Sequence, residues 1–374
     1  MRRRVLFLGG TGAVGSRVAR LLSDLPELRR LIAGRDGERC EHFVEDLLAD
    51  GVAAEAVQIA VPTDLARLLR EQRPELVIDC TGSFGKADAR TNGHAVARAC
   101  IAAGLAYIDV ADSRSHVLGI RALDELAIAS GARVHGGAGL VPCLSMAACE
   151  ALAQGLAQVR AVRVMVCPGN QEPHGHAALA GMLADSGASF QWRREGAWRK
   201  AYAWQGLTGS DIAGVGPRLL SAWNAPDLDL LPERWPELTE ATVQGSVEVA
   251  ALHRGLAALG WLRRLGVVRE ARGLCSAAET IARSFSHFGS DRFGMRVEME
   301  GQMGPHRVRR SWTLHAPGGG GAWVKAAPAA ALARALLSGQ SIQPGARVAT
   351  LTLTEILAEL RAVPTDIRVT DMDD

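Results

Sequence analysis

The chain has 374 residues, with 42 Lys and Arg against 40 Asp and Glu, so its formal charge is only +2. Near-neutrality gives no overall electrostatic drive toward nucleic acid or an acidic surface, no run reaches the roughly 20 apolar residues that span a bilayer, and the length points to two domains. Seven cysteines, at 40, 80, 100, 143, 149, 167 and 275, form no C-x-x-C pair and no His/Cys cluster, so reduced thiols, no metal and a cytoplasmic protein are the expectation. Arg2 to Arg4 resemble a signal-peptide start, but only four apolar residues follow before the glycines.

Val5-Leu6-Phe7-Leu8 reads as a buried strand, and Gly9-Gly10-Thr11-Gly12-Ala13-Val14-Gly15 follows at once. Gly10, Gly12 and Gly15 fill G-x-G-x-x-G: the first lets the strand turn, the second lets backbone approach a pyrophosphate, and the third lets a helix lie close to its strand. Val14, Val18, Leu21 and Leu22 mark one face of that helix, whose first-turn N–H groups then aim at an anion. Thr11, Ala13 and Val14 complete the expected cofactor contacts of the loop. A second strand, Leu28 to Ala33, ends in Gly34-Arg35-Asp36. Arg35 stands where the adenosine ribose belongs, and its guanidinium suits a 2′-phosphate. Asp36 either accepts a ribose hydroxyl or caps the helix from Glu38 to Leu48. NADP is the expected cofactor, with NAD as the alternative.

The βα alternation continues through a strand at Ala56 to Ala60, a helix at Pro62 to Arg70 and a strand at Leu76 to Cys80. Thr81-Gly82-Ser83-Phe84-Gly85 then leaves a carboxyl strand end, where open parallel sheets bind ligands; Thr81 and Gly82 either meet the cofactor there or simply turn the chain. A helix from Asn92 to Ala103, a strand from Leu105 to Val110, a helical stretch from Val117 to Ala129 and a strand from Ala132 to His135 complete six strands. This rhythm fits an α/β, doubly wound parallel Rossmann sheet over residues 1–140, with Gly136 to Gly139 as a hinge before the helix Leu144 to Ala157.

From Val159 the texture changes. Alternating stretches at Gln244 to Ala250, Gly294 to Glu300 and Val308 to Leu314 suggest a mixed or antiparallel sheet, hence an inserted α+β domain over 141–322 for substrate binding or dimerisation. Tryptophans 192, 198, 204, 223, 235 and 261 gather here, lining an apolar pocket or filling a second core. Residues 323–374 read as C-terminal helices returning to the first domain, Ala326 to Leu337 and Thr354 to Leu360, followed by a tail from Thr365 that frays.

Across Arg4 to Leu48 and Ile78 to Leu152 the chain resembles the saccharopine dehydrogenase-like family. The segments that carry the resemblance are GGTGAVGSRVARLL at 9–22, IAGRD at 32–36, TGSFG at 81–85, AVARACIAAGLAYIDVAD at 95–112 and GGAGLVPCLS at 136–145. The resemblance implies a nicotinamide-dependent oxidation or reduction at a carbon bearing nitrogen, an amino acid or imine as the small-molecule substrate, and a homodimer. Val141-Pro142-Cys143 departs from the PG-type turn common in the family.

Such chemistry needs a general acid/base. His174 and His176 emerge from a polar, glycine-containing loop after a strand, and Asp112 follows the fifth strand, where Tyr107 and Asp109 also lie. The H-x-H pair lacks the third ligand of catalytic zinc. Arg193 and Arg194 either grip a substrate carboxylate or remain solvated. A short-chain dehydrogenase would need Y-x-x-x-K, but Ala111 and Gly206 stand four residues after Tyr107 and Tyr202, the two tyrosines. An NADPH-dependent enoyl-lipid or quinone reductase and a non-catalytic NADP-binding sensor are the alternatives.

Overall fold

Val5, Leu6, Phe7 and Leu8 are all fully buried, the signature of a parallel strand covered on both faces. The computed structural model describes residues 3–61, 63–82, 94–172, 176–268, 275–339 and 342–373. The chain forms two units, Met1–Leu144 with Ala322–Glu359, and Ser145–Gly321 with Leu360–Asp374.

In the first unit the strands are β1 (Arg3–Leu8), β2 (Leu28–Gly34), β3 (Ala54–Gln58), β4 (Leu76–Asp79), β5 (Ala106–Asp109), β6 (Arg133–Gly136) and, on the return, β15 (Gly345–Val348). They pair in the order β15-β6-β5-β4-β1-β2-β3, and every pairing is parallel. The order reverses between β1 and β4, which opens a crevice at their carboxyl ends. The expected doubly wound fold is present, with β15 as a seventh strand that periodicity did not reveal. The stretch expected as one helix from Val117 is two, Arg114–Arg121 and Asp124–Ser130. Asp36 caps the helix Gly37–Ala49 by accepting from the Arg39 N–H.

The return is bound into this unit from far along the chain. The helix Gly321–Leu337 buries an alanine stripe, with Ala326, Ala327, Ala329, Ala330 and Ala333 all fully buried. Arg334 near its end reaches both Asp24 and Glu359 and donates to the Leu21 carbonyl. This places Arg334 over the carboxyl end of the helix Gly15–Leu21, where a cation is favoured.

The second unit carries β7 (Gln158–Cys167), β8 (Ser189–Arg194), β9 (Ala197–Tyr202), β10 (Thr208–Ile212), β11 (Gly216–Ala222), β12 (Glu240–Gly245), β13 (Phe293–Met303), β14 (His306–Ala316) and β16 (Asp366–Asp373). The sheet is mixed, with order β10-β11-β12-β7-β13-β14-β16 and β8 joining β12 to β9. Only β12 with β7 is a parallel pairing among those described. The alternating run from Gln244 ends early, because β12 stops at Gly245 and a helix, Ala250–Arg264, begins at Ala250. The tail does not fray: Asp366 to Asp373 pair antiparallel with His315 to Val308, so the chain finishes as an edge strand.

Side chains alternate across β7. Val162 and Val164 are fully buried on one face, while Met165 and Cys167 on the other join Ile212, Val215 and Leu220 in a small core. The helices Ser145–Ala153 and Asp227–Arg234 are tied together by the Ser145 hydroxyl donating to Asp227 Oδ1. Asp227 is fully buried, and its Oδ2 has no hydrogen-bond partner among the described residues.

Burial pushes the Asp227 carboxyl up from 3.8 to about 6. The unfolded chain therefore ionises first, so stability falls as pH rises between those values and levels off above them. The span corresponds to about 3 kcal/mol. Asp227→Asn keeps an acceptor for Ser145, should flatten that slope, and should melt above the parent at neutral pH. Melting temperatures recorded across the range test this; parallel profiles for parent and variant would refute it.

Candidate functional site

β1 ends in a loop where main-chain atoms crowd one another. Gly9 has φ 69 and donates to the Ala33 carbonyl at 2.9 Å; a Cβ there would lie 2.7 Å from the Cys80 carbonyl oxygen. At Gly15 a Cβ would meet the Gly9 oxygen at 2.5 Å, and at Gly10 it would sit 3.1 Å from the Phe7 oxygen and from the Ile32 side chain. Gly9 and Gly15 are demanded by the chain's own packing, and a Cβ at Gly10 would require its neighbours to give by a few tenths of an ångström. Gly12 differs, because its Cβ would meet only the Gly9 oxygen, at 3.1 Å. In the G-x-G-x-x-G pattern this is the position whose smallness lets a diphosphate approach the backbone. The Gly12 carbonyl accepts from the Ser16 N–H at 3.1 Å and hydroxyl at 2.8 Å, which fixes the passage through Thr11, Ala13 and Val14 into the helix.

Arg35 is exposed beyond β2 and its carbonyl accepts from Gln58 Nε2 at 3.1 Å. Asp36 is engaged as the helix cap. Arg39, one turn into that helix, donates Nη2 to the Thr11 carbonyl at 3.2 Å. A second guanidinium thus lies against the glycine loop. Sequence reading passed over Arg39 although it stands four residues after Arg35, within the same first turn.

The exits of β4 and β5 carry two buried carboxyls, Asp79 and Asp109, which are register partners. Asp79 Oδ1 accepts from Thr81 N at 3.0 Å and Oγ1 at 2.6 Å, and the Tyr107 hydroxyl donates to Oδ2 at 3.3 Å. Burial pushes the Asp79 carboxyl and the Tyr107 phenol up. A Cβ on Gly82 would meet nothing within 4 Å, so the backbone is open there; residues 83–85 lie outside the described residues.

Asp109 is the knot of this end. Its Oδ1 accepts from Ala111 N at 3.1 Å and Gly137 N at 2.8 Å, and its Oδ2 lies 3.1 Å from His116 Nε2. The loops leaving β5 and β6 are thereby fastened to one carboxyl. His94 stacks beside His116 at 4.5 Å between ring centroids, and its Nε2 lies 2.9 Å from the His116 carbonyl. Asp112 is exposed and sits just before Ser113, the cap position of the helix Arg114–Arg121.

The other candidates are in the second unit. His174 lies outside the described residues, and His176 opens the helix His176–Asp185 with its side chain also outside them. Arg193 and Arg194 are consecutive on β8 and so point to opposite faces. Arg193 Nε donates to the Leu238 carbonyl, while Arg194 is 3.8 Å from Glu240 and 4.6 Å from the centre of the Trp192 ring. The two guanidiniums do not converge on one point. Among the described residues no group of three His, Cys, Asp or Glu is placed to hold a metal.

One pair in the second unit mimics a nucleophile and base. Ser221 Oγ lies 2.8 Å from His253 Nε2, both residues fully buried. His253 Nδ1 accepts from Val247 N at 3.3 Å, so Nε2 carries the proton and donates to the serine. Burial pulls the imidazole down to about 4. The pair is a structural tie, since a histidine already protonated at Nε2 cannot take the serine proton there.

The family model for the saccharopine dehydrogenase NADP binding domain matches residues 5–134. No curated protein matches the sequence. Among solved structures, apo saccharopine dehydrogenase (L-Glu forming) from Saccharomyces cerevisiae has a TM-score of 0.67 at 13% identity, covering 98% of this chain and 100% of that one. A citronellol catabolism dehydrogenase from Pseudomonas aeruginosa gives 0.30 at 18% identity over 36% of this chain and 72% of its own. A 3-oxoacyl-[acyl-carrier protein] reductase from Brucella melitensis gives 0.29 at 14% identity over 36% and 67%. The yeast likeness is one of fold along the whole chain. The first unit is thus a Rossmann domain similar to the NADP-binding domain of saccharopine dehydrogenases.

Proposed function

We propose that the chain is an NADP(H)-dependent oxidoreductase of the saccharopine dehydrogenase-like type, transferring a hydride at a carbon bearing nitrogen in an amino acid or imine. The observation that carries this reading is the glycine loop at the crevice between β1 and β4. There Gly9 and Gly15 leave no room for a Cβ, which would lie 2.7 and 2.5 Å from backbone oxygens, whereas at Gly12 the near contact is with one carbonyl alone, at 3.1 Å. The match of residues 5–134 to an NADP-binding family supports the same ligand.

In this reading Gly10 to Gly15 hold the diphosphate, Arg35 forks onto the 2′-phosphate with Arg39 bracing the loop beside it, and Thr81 and Gly82 border the nicotinamide. Bound NADPH supplies the hydride. Hydride delivered to an imine carbon would leave its nitrogen needing a proton, which Asp112, His174 or His176 would supply to give the amine. Asp109 positions the loops around this chemistry by holding Ala111 and Gly137.

Titration calorimetry with NADPH and NADH tests the cofactor site. Arg35→Ala should lose about 2 kcal/mol of NADPH affinity, roughly thirtyfold, and leave NADH unchanged; equal loss for both would remove the 2′-phosphate assignment. Gly12→Val should abolish binding of both while circular dichroism stays that of the parent, and retained binding would sink the cradle. Turnover is read as loss of nicotinamide absorbance with imines and amino acids, and a protein that binds NADPH yet turns over none of them would be a sensor instead.

The two buried carboxyls should separate in behaviour. Asp109→Asn forces an amide N–H against a backbone donor or His116, which should cost about 1–3 kcal/mol of stability and weaken NADPH binding. Asp79→Asn replaces a carboxyl that burial already biases toward its neutral form, and should stay within about 1 kcal/mol of the parent. Denaturant melts of both variants check this; equal destabilisation would contradict it.

A further inference from the structure

The helix Ala250–Arg264 has two apolar sides. His253, Leu256, Ala257 and Gly260 form its buried stripe, which accounts for its attachment to the second unit. Its far end presents a second stripe outward: Trp261 is 53% exposed, Leu262 42%, Leu265 70% and, just past the helix, Val267 69%. Ile281 and Phe288, on and after the next helix, are exposed by 52% and 60%. Scattered single exposed apolar residues are ordinary, but four within seven positions are a patch that calls for a covering.

The charges beside the patch are mostly of one sign. Residues 250–288 contain six arginines, at 254, 263, 264, 269, 272 and 283, against Glu270 and Glu279, so the whole-chain balance of +2 conceals a local excess of cations. Arg263 Nη1 donates to the carbonyls of Leu183, Ala184 and Ser186, capping the helix His176–Asp185. Arg264 lies over two rings, 3.6 Å from the centre of Tyr202 and 4.2 Å from that of Trp261. That stacking holds the indole and a cation side by side at the rim of the apolar tip.

We propose that this tip is a membrane-surface contact, in which Trp261, Leu262, Leu265 and Val267 enter the headgroup region of a bilayer and the arginines meet anionic lipid. Tryptophan and arginine beside a short apolar face are the combination that suits that boundary. A second copy of the chain packed by this same face is the poorer occupant, because it would set one arginine-rich tip against another. A lipid surface rich in phosphatidylserine brings the opposite charge. The contact is peripheral, since none of the described helices is long and apolar enough to cross a membrane.

Flotation of the full chain with phosphatidylcholine vesicles, with and without phosphatidylserine, tests the proposal. Recovery with the anionic vesicles should exceed that with the neutral ones by about tenfold or more and fall as salt is raised. The double variant Leu265→Asp with Val267→Asp, at two outward positions, should keep the parent's circular dichroism and stay with the soluble fraction. Equal recovery on both vesicles, or undiminished binding by the variant, would overturn the proposal. So would light scattering that shows a parent dimer and a monomeric variant, which would assign the face to a second copy.

Discussion

The first unit depends on a steric constraint: at the end of β1, main chain lies against main chain with no side chain between. A Cβ on Gly15 would reach 2.5 Å from the Gly9 oxygen, and one on Gly9 would reach 2.7 Å from the Cys80 oxygen. These contacts join three elements, β1, the helix Gly15–Leu21 and the exit of β4. Because the atoms involved are backbone, no rotamer change can relieve a substitution there. The switch point of the sheet is therefore fixed by covalent geometry before any polar interaction is counted. Gly12, held less tightly by the protein itself, is the position in the loop whose smallness serves something else.

The other end of the crevice is held by a different force. Asp109 gathers two backbone N–H groups and a histidine onto one buried carboxyl, and Asp79 gathers Thr81 and Tyr107. Loops at carboxyl strand ends carry backbone groups with no sheet partner, and inside the protein each needs one. Asp79 and Asp109 supply them locally. The end at the glycine loop is thus shaped by the absence of side chains and the end at β4 and β5 by two particular ones. A loop built from glycines alone at β5 and β6 would have no such fixed outline.

What could be read in the sequence follows the same division. The glycine spacing, the buried runs of β1 and β2 and the cap at Asp36 are local patterns, and each appears where periodicity put it. Arg39 against Thr11, Gly137 against Asp109 and Arg334 against Asp24 are contacts across the fold, and nothing in a linear pattern ties residue 24 to residue 334. β16 was hidden for another reason. Its sequence, DIRVTDMD, alternates correctly, with Ile367 and Val369 on one face, but its charges and its place at the chain end read as a solvated tail. It is a strand because β14 offers an unpaired edge. Likewise β15 is only four residues long, and it is β6 that makes it a strand.

The likeness to known proteins falls differently on the two units. The family match ends at residue 134, at the close of the stretch that supplies the glycine loop, Asp79 and Asp109. The second unit needs mainly alternation: Val162 and Val164 inward on one face, Met165 and Cys167 on the other, and many apolar residues would satisfy that pattern equally well. The likeness of fold to the yeast structure runs the full length at 13% identity, and the second unit has close main-chain contacts of its own, since a Cβ on Gly187 would lie 2.3 Å from the Gly260 oxygen and one on Gly169 2.4 Å from the Ser290 oxygen. The outward Leu265 and Val267, 70% and 69% exposed, serve no packing need in the second unit. Pattern-level constraint would have accepted Lys or Glu at either position at no loss of core.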